Sequence, residues 1–252
     1  MRVYWMEIKT EFLKLLRMRT YSLSTVLFPV MFYCFFGLAM GHNTATGSSM
    51  TAARYLLATY GAFGVMGACL YAFGAGVAVE RGMGWLQVKR ASPMPMPAYF
   101  VAKAAAAITF GAAVVTLLFT LGAVFGGVTM PAAQWLTLGA ALVAGAIPFC
   151  ALGLAIGFMA GPNSAPAMVN LVYLPMSFCA GLWIPFDFLP PGLQHAAPAL
   201  PAFHFAQIAL SILHAPSQGT TAQHLGALAG FTLIFAGVAW VANSRDDQKM
   251  YG

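Results

Sequence analysis

The sequence predicts an all-α membrane protein of about six transmembrane helices preceded by an amphipathic interfacial helix, and three observations carry that reading. Hydrophobic residues are 60% of the 252 and charged residues 7%, against about 25% charged in a soluble domain. Mean hydropathy is +0.78. The apolar residues also come in long runs of about the 20 residues a helix needs to cross a bilayer. Water-facing surface needs polar cover, and 18 charged side chains cannot dress a soluble globule of this length, whereas lipid-facing surface requires none. A single membrane domain, 1–252, is expected.

Residues 3–19 form the first element. At 100° per residue Trp5, Ile8, Phe12, Leu15 and Leu16 share one arc, with Glu7, Thr10, Glu11, Lys14 and Arg17 opposite. This is the pattern of a helix lying on the membrane, over 1–20; a helix packed on a protein partner has the same periodicity and stays open. The amphipathic start and the missing small-residue cleavage site argue against a cleaved signal peptide, so the first span should stay as an anchor.

The spans are expected at 21–41, 53–79, 104–128, 135–159, 167–183 and 225–242. A short polar loop, 42–51, follows the first. Segment 80–103 holds Glu80, Arg81, Lys89, Arg90 and Lys103 around the Pro-rich turn 92–97. It reads as a charged loop with a short helix, 84–90, ended by Pro93. Pro148 is expected to kink the fourth span, and Pro175 lies inside the fifth. Residues 184–222 are apolar but broken by Pro185, Pro190, Pro191, Pro198 and Pro201. They are too apolar for a solvated loop and too broken to span, which predicts short re-entrant helices; a loop dipping into the headgroups is the alternative.

Orientation follows from the basic residues. Eleven of the twelve Lys and Arg lie in the N-terminal segment, the 80–103 segment and the C-terminal tail, with Arg54 alone on the other side. Both termini and segment 80–103 are therefore expected in the cytoplasm, which requires an even number of spans. The net charge of +6 is topological on this reading and does not indicate nucleic acid, whose partners cluster basic residues on a wet face.

Catalytic material is scarce. The sequence has no GxxxxGK[ST] loop, so it should not handle nucleotide phosphates, and no HExxH, GxSxG or HxE with CxxC. Asn170, Gln134 and Tyr173, the polar candidates in the spans, do not form a set. No expected span carries an interior Asp, Glu, Lys or Arg, unlike most ion-coupled transporters, so the driving force should enter from outside the bilayer through segment 80–103. Cys34, Cys69, Cys150 and Cys179 fall in apolar runs and read as small core residues. His42, His195, His204, His214 and His224 all fall near the expected outer face without metal-ligand spacing. The pairs Gly122 and Gly126, Gly153 and Gly157, and Gly226 and Gly230 have the GxxxG spacing of close helix contacts.

The order of these features resembles the ABC-2 type permeases of ATP-binding-cassette exporters, particularly the drug-resistance and nodulation types. The likeness rests on the amphipathic start and the charged segment from Glu80 and Arg81 to Arg90-Ala-Ser-Pro93. It also rests on Ser177-Phe-Cys-Ala-Gly-Leu-Trp-Ile-Pro185, followed by Phe188-Leu-Pro-Pro191 and Leu200-Pro201. The resemblance implies that Glu80, Arg81, Trp85, Lys89 and Arg90 face a separate ATPase, with the N-terminal helix beside it. Ordinary positive-inside anchoring is the other reading of those charges. It further implies an outer gate carrying Pro185, Phe188, Pro190, Pro191 and Pro201, a second permease copy or close relative, and a bacterial inner-membrane location. This chain itself would hold no cofactor, since ATP and Mg would bind the ATPase. A pathway lined by Phe, Met and Tyr favours hydrophobic or amphiphilic cargo such as a drug, antibiotic or lipid. A glycan-exporter permease and a non-transporting anchor or sensor subunit are the alternatives.

Overall fold

The computed structural model of the chain describes residues 2–39 and 50–251, and the side chains of all of these except residues 19, 20, 23, 24 and 245–251. The expected loop 42–51, with His42, therefore lies outside the described residues apart from Met50 and Thr51. The described residues are helical, with no β-strand among them. α1 (Arg2–Arg17) leads into α2 (Arg19–Phe32), which continues as a π-helical turn, Tyr33–Leu38. α3 (Ala52–Leu70), a π-helical turn (Tyr71–Ala75) and α4 (Gly76–Gly82) make one helix of 31 residues. Then follow α5 (Trp85–Ala91), α6 (Met96–Val124), α7 (Ala132–Ala144), α8 (Ala146–Met159), α9 (Ala165–Cys179), α10 (Pro191–Ala196), α11 (Pro201–Ile212) and α12 (Thr221–Tyr251).

Each expected span overlaps helical residues, the fourth two helices, α7 and α8. Four of these are long and apolar enough to cross a membrane: Ala52–Gly82, Met96–Val124, Ala132–Met159 and Thr221–Ser244. Thr25–Leu38, Ala165–Cys179 and Pro201–Ile212 are shorter apolar helices. Hydroxyls exposed on the long helices are satisfied without water: Thr116 Oγ1 donates to Ala112 O at 2.8 Å and Thr120 Oγ1 to Thr116 O at 2.8 Å, the local bond that lets a polar side chain face lipid.

The boundaries differ from the sequence reading at two places. The second span runs on to Gly82 and α6 begins at Met96, so the connection between them is 83–95, and Lys103 stands inside a helix. Proline at the first turn of α6 is tolerated because its missing N–H has no partner there anyway. The break expected of Pro148 in the fourth span falls three residues before it, at Gly145. Proline clashes with the carbonyl four residues before it, so the ladder is lost next to Ala144. Short helices do occur in the segment 184–222, as α10 and α11, and α11 is buried almost all round. Thr220 and Gln223 close the start of α12 reciprocally, Thr220 N–H donating to Gln223 Oε1 at 2.9 Å and Gln223 N–H to Thr220 Oγ1 at 3.3 Å, a capping box.

α3 lies at the centre, with 78% of its most apolar stretch inside the protein, while α12 is peripheral at 11%. Small residues let the neighbours approach α3: a Cβ on Gly64 would stand 2.5 Å from Val114 and one on Gly67 2.6 Å from the Tyr173 hydroxyl. The three GxxxG pairs separate on the same measure. A Cβ on Gly157 would meet the Phe73 carbonyl at 2.6 Å and one on Gly153 the Phe73 Cβ at 2.9 Å, and one on Gly122 would strike Leu57 at 2.4 Å, whereas Gly226 and Gly230 have open space. The spacing of the last pair marks no contact within this chain. Gly157→Ala is therefore expected to destabilise the protein by about 1–3 kcal/mol, the usual cost of overpacking, because backbone cannot yield as a side chain end can. Gly230→Ala should leave thermal unfolding in detergent unchanged or slightly later; equal losses in both variants would dismiss the α8 seam.

Candidate functional site

One end of the bundle gathers the N-terminal helix, the end of α4, α5 and the start of α6, and here α1 turns a mixed face inward. Leu15 and Glu11 are buried, Glu7 and Lys14 half-buried and Phe12 packs on Phe110 at 5.6 Å, while Trp5 (69% exposed), Met6, Thr10, Leu16 and Arg17 face outward. The charged members of that inner face are held by ion pairs. Lys103, fully buried, donates to Glu11 Oε1 at 2.6 Å and to Glu80 Oε1 at 3.1 Å. Lys14 donates to Glu11 Oε2 at 2.7 Å and also to Glu80. Tyr99 donates its hydroxyl to Glu80, and Lys89 pairs with Glu7. The Lys89 and Lys103 ammonium groups lie 4.7 and 5.2 Å from the Tyr99 ring centroid, within cation–π range.

Three carboxylates thus balance three ammonium groups across α1, α4, α5 and α6. Burial alone would lower the Lys14 pKa, but the Glu80 and Glu11 carboxylates outweigh it and raise the value above the ordinary one. Removing one member of such a cluster leaves a charge uncompensated, which is why buried networks of this kind fix one arrangement of the helices they join.

The residues expected to face a partner divide accordingly. Glu80 and Lys89 are turned into the cluster. Arg81 reaches the end of α8, donating to Phe158 O and, at 2.8 Å, to Ala160 O, where carbonyls past the last helical turn lack partners. Arg90 donates to Asn243 of α12 at 2.7 Å. Trp85 alone of the five is well exposed, at 58%, and with it stand Met83 at 69% and Val88 at 67%. Gly84, at φ +77°, makes the left-handed turn that restarts the chain as α5, while Leu86 is the residue of α5 that packs inward. Met83 and Val88 carry no charge, so a search led by charge passes over them.

The other end holds the segment expected to be a gate. Pro185 is half-buried, Phe188, Pro190 and Pro191 are exposed, and Pro201 is buried at the start of α11. Gly181 turns at φ +76°, and Gln194 Nε2 gathers the carbonyls of Phe186, Asp187 and Leu189 at 3.3, 3.4 and 2.8 Å. Tyr55 accepts the Phe186 N–H at 3.3 Å, and Tyr60 donates to Trp183 O at 3.2 Å. The Trp183 ring stacks on Phe32 at 5.2 Å and meets Phe63 edge-on at 5.7 Å. Nearby Tyr71, at the start of the second π-helical turn, hydrogen-bonds Asn170. Gln134 lies apart from this group, bonded to Arg54 and to Ile212 O. The start of this segment is thus fastened to the central helix α3.

Among the described residues no group of three His, Cys, Asp or Glu could hold a metal ion, and the four cysteines are free. A model of the ABC-2 type transporter family matches residues 2–214. YvfS of Bacillus subtilis strain 168, which bears the name of a transport permease, is 28% identical over 207 residues, covering 82% of this chain and 84% of its own length. With apolar helices long enough to span, a fastened charged end and a match over most of its length, the chain belongs to the ABC-2 type transporter family and is a membrane transport permease.

Proposed function

We propose that the chain is the transmembrane subunit of an ATP-driven exporter, with six spans, both termini in the cytoplasm of a bacterium and a separate ATP-binding-cassette ATPase holding ATP and Mg. The observation that carries this reading is the exposed apolar trio Met83, Trp85 and Val88 on and beside α5. It is mounted next to a charge cluster that joins α1 and α6 to the end of the central helix. Apolar side chains grouped on a short basic element fit an aromatic anchor in a protein groove. Closure of two ATPases would push α5 and α1 as one piece, and the ionic cluster would pass the displacement to α6 and α4. The two states of the permease would then shift in population.

The pathway would form with a second copy or close relative of this chain, and α10 and α11 would dip into the outer half of the membrane as a gate. Uncharged faces, with Phe28, Phe35, Phe36 and Leu171 exposed, suit hydrophobic or amphiphilic cargo. Co-expression with an ATP-binding-cassette ATPase from the same genome should yield a complex that hydrolyses ATP, with a cysteine at Gln87 protected from labelling in intact cells. Recovery of the permease without an ATPase would favour an anchor or sensor subunit, and labelling at Gln87 would reverse the orientation.

A further inference from the structure

Two of the five histidines, separated by twenty positions in the sequence, meet between α11 and the first turn of α12. His204 Nδ1 and His224 Nδ1 are 2.8 Å apart. The other nitrogen of each ring faces a backbone carbonyl: His204 Nε2 lies 2.9 Å from Pro198 O, and His224 Nε2 lies 2.6 Å from Gln218 O. Carbonyl oxygens only accept, so both Nε2 atoms must carry hydrogen, and the Nδ1 pair needs one more. Three hydrogen bonds therefore require three ring protons. Two neutral imidazoles supply two and two imidazoliums supply four. The first case leaves two lone pairs in contact; the second sets N–H against N–H between like charges.

From this count we infer that His204 and His224 form a site for one shared proton, which ties the gate segment α11 to the last helix α12. A zinc ion fits the spacing less well, because two nitrogens each about 2.0–2.1 Å from a tetrahedral zinc stand about 3.3 Å apart. His224 is buried, at 4% exposure. The rings around the pair, Phe203 and Phe231, are uncharged. Titratable groups on the neighbouring elements have other engagements. On α3, Arg54 bonds Gln134, Tyr55 accepts the Phe186 N–H and Tyr60 donates to Trp183 O. On α9, Tyr173 donates to Phe63 O at 2.9 Å. On α10, His195 donates to Pro191 O at 2.6 Å, and Asp187 and His214 stand exposed. Burial lowers the His204 pKa, the Pro198 carbonyl offsets part of this, and the neighbouring His224 lowers it further.

A second tie runs parallel, since Gln207 Oε1 of α11 accepts the Gln218 N–H at 2.8 Å. The proton site stands whatever the cargo; only its bearing on the pathway rests on the gate reading. The sign of its pH dependence follows from the count. With two neutral rings one of the three hydrogen bonds is lost, and with two imidazoliums the Nδ1 atoms set N–H against N–H between like charges, so stability falls on either side of the singly protonated pair.

The test uses the full chain in detergent or nanodiscs. Histidine-selective 15N spectra of the unmodified protein should show one pair of rings holding three protonated nitrogens across a plateau around neutral pH. Thermal unfolding should be latest on that plateau and about 2–4 °C earlier on either side, the shift that loss of one hydrogen bond causes in a chain of this size. His204→Gln should flatten that profile. If all histidines titrate singly, with no pair holding three protons, the inference is overturned. So it is if micromolar zinc delays unfolding of the unmodified protein but not of the variant, because the shared cation is then a metal.

Discussion

Lys103→Met is expected to cost about 3–5 kcal/mol of stability, the scale on which loss of one partner unbalances a buried ionic group. The lysine is fully buried and is the one cation that bonds both Glu11 and Glu80 while lying inside a span-length helix. Methionine keeps much of the volume and removes the charge, so two carboxylates would share only Lys14, whose side chain is 39% exposed. The measurable result is early thermal unfolding in detergent and loss of the monodisperse fraction on size exclusion. Lys103→Met combined with Glu11→Gln should recover part of the loss, because it removes one positive and one negative charge together. If the single variant unfolds with the unmodified protein, the cluster does not hold α1 on α6.

The second large effect is expected at α5. Trp85→Ala with Val88→Ala should weaken binding of the ATPase by at least about 2 kcal/mol, roughly 30-fold, if these side chains are the anchors of that contact. Both are exposed, at 58% and 67%, so the variant should fold and insert normally, with stability changed by no more than about 0.5 kcal/mol. Co-purification and substrate-stimulated ATP hydrolysis are the readouts. Lys89→Ala makes the contrast: its ammonium is paired with Glu7 and lies over Tyr99, so its loss should be felt first in stability. Undiminished assembly of the double variant would move the ATPase contact elsewhere.

These two sites were legible to different degrees. Segment 80–103 stands out in sequence by its charge, and the choice of Trp85 needs no tertiary information. The roles of Glu80, Lys89 and Lys103 were hidden, because a charge count cannot tell a lysine that faces water from one that finds two carboxylates inside the protein. Met83 and Val88 were hidden for the opposite reason, since apolar residues beside a span are expected to be buried. The helical wheel of 3–19 likewise separates an apolar arc from a charged one without saying which is turned inward. Three lysines on α1, α5 and α6 face three glutamates on α1 and α4, and that complementarity brings Glu7, Glu11 and Lys14 inward beside Leu15 and Phe12, while Thr10 and Arg17 stay exposed.

Solvent class, helical architecture and the four helices of span length, Ala52–Gly82, Met96–Val124, Ala132–Met159 and Thr221–Ser244, were determined by the sequence alone, because bilayer thickness and backbone hydrogen bonding leave an apolar run of this length few alternatives. Proline and glycine placed most of the breaks for equally local reasons. Tertiary structure decided everything that depends on which helix lies beside which. It brought Lys103 to two glutamates, His204 to His224, and Gly157 rather than Gly230 against a neighbouring backbone. Those pairings join residues far apart in the chain, and their energies come from distance and burial, which spacing along a sequence does not encode.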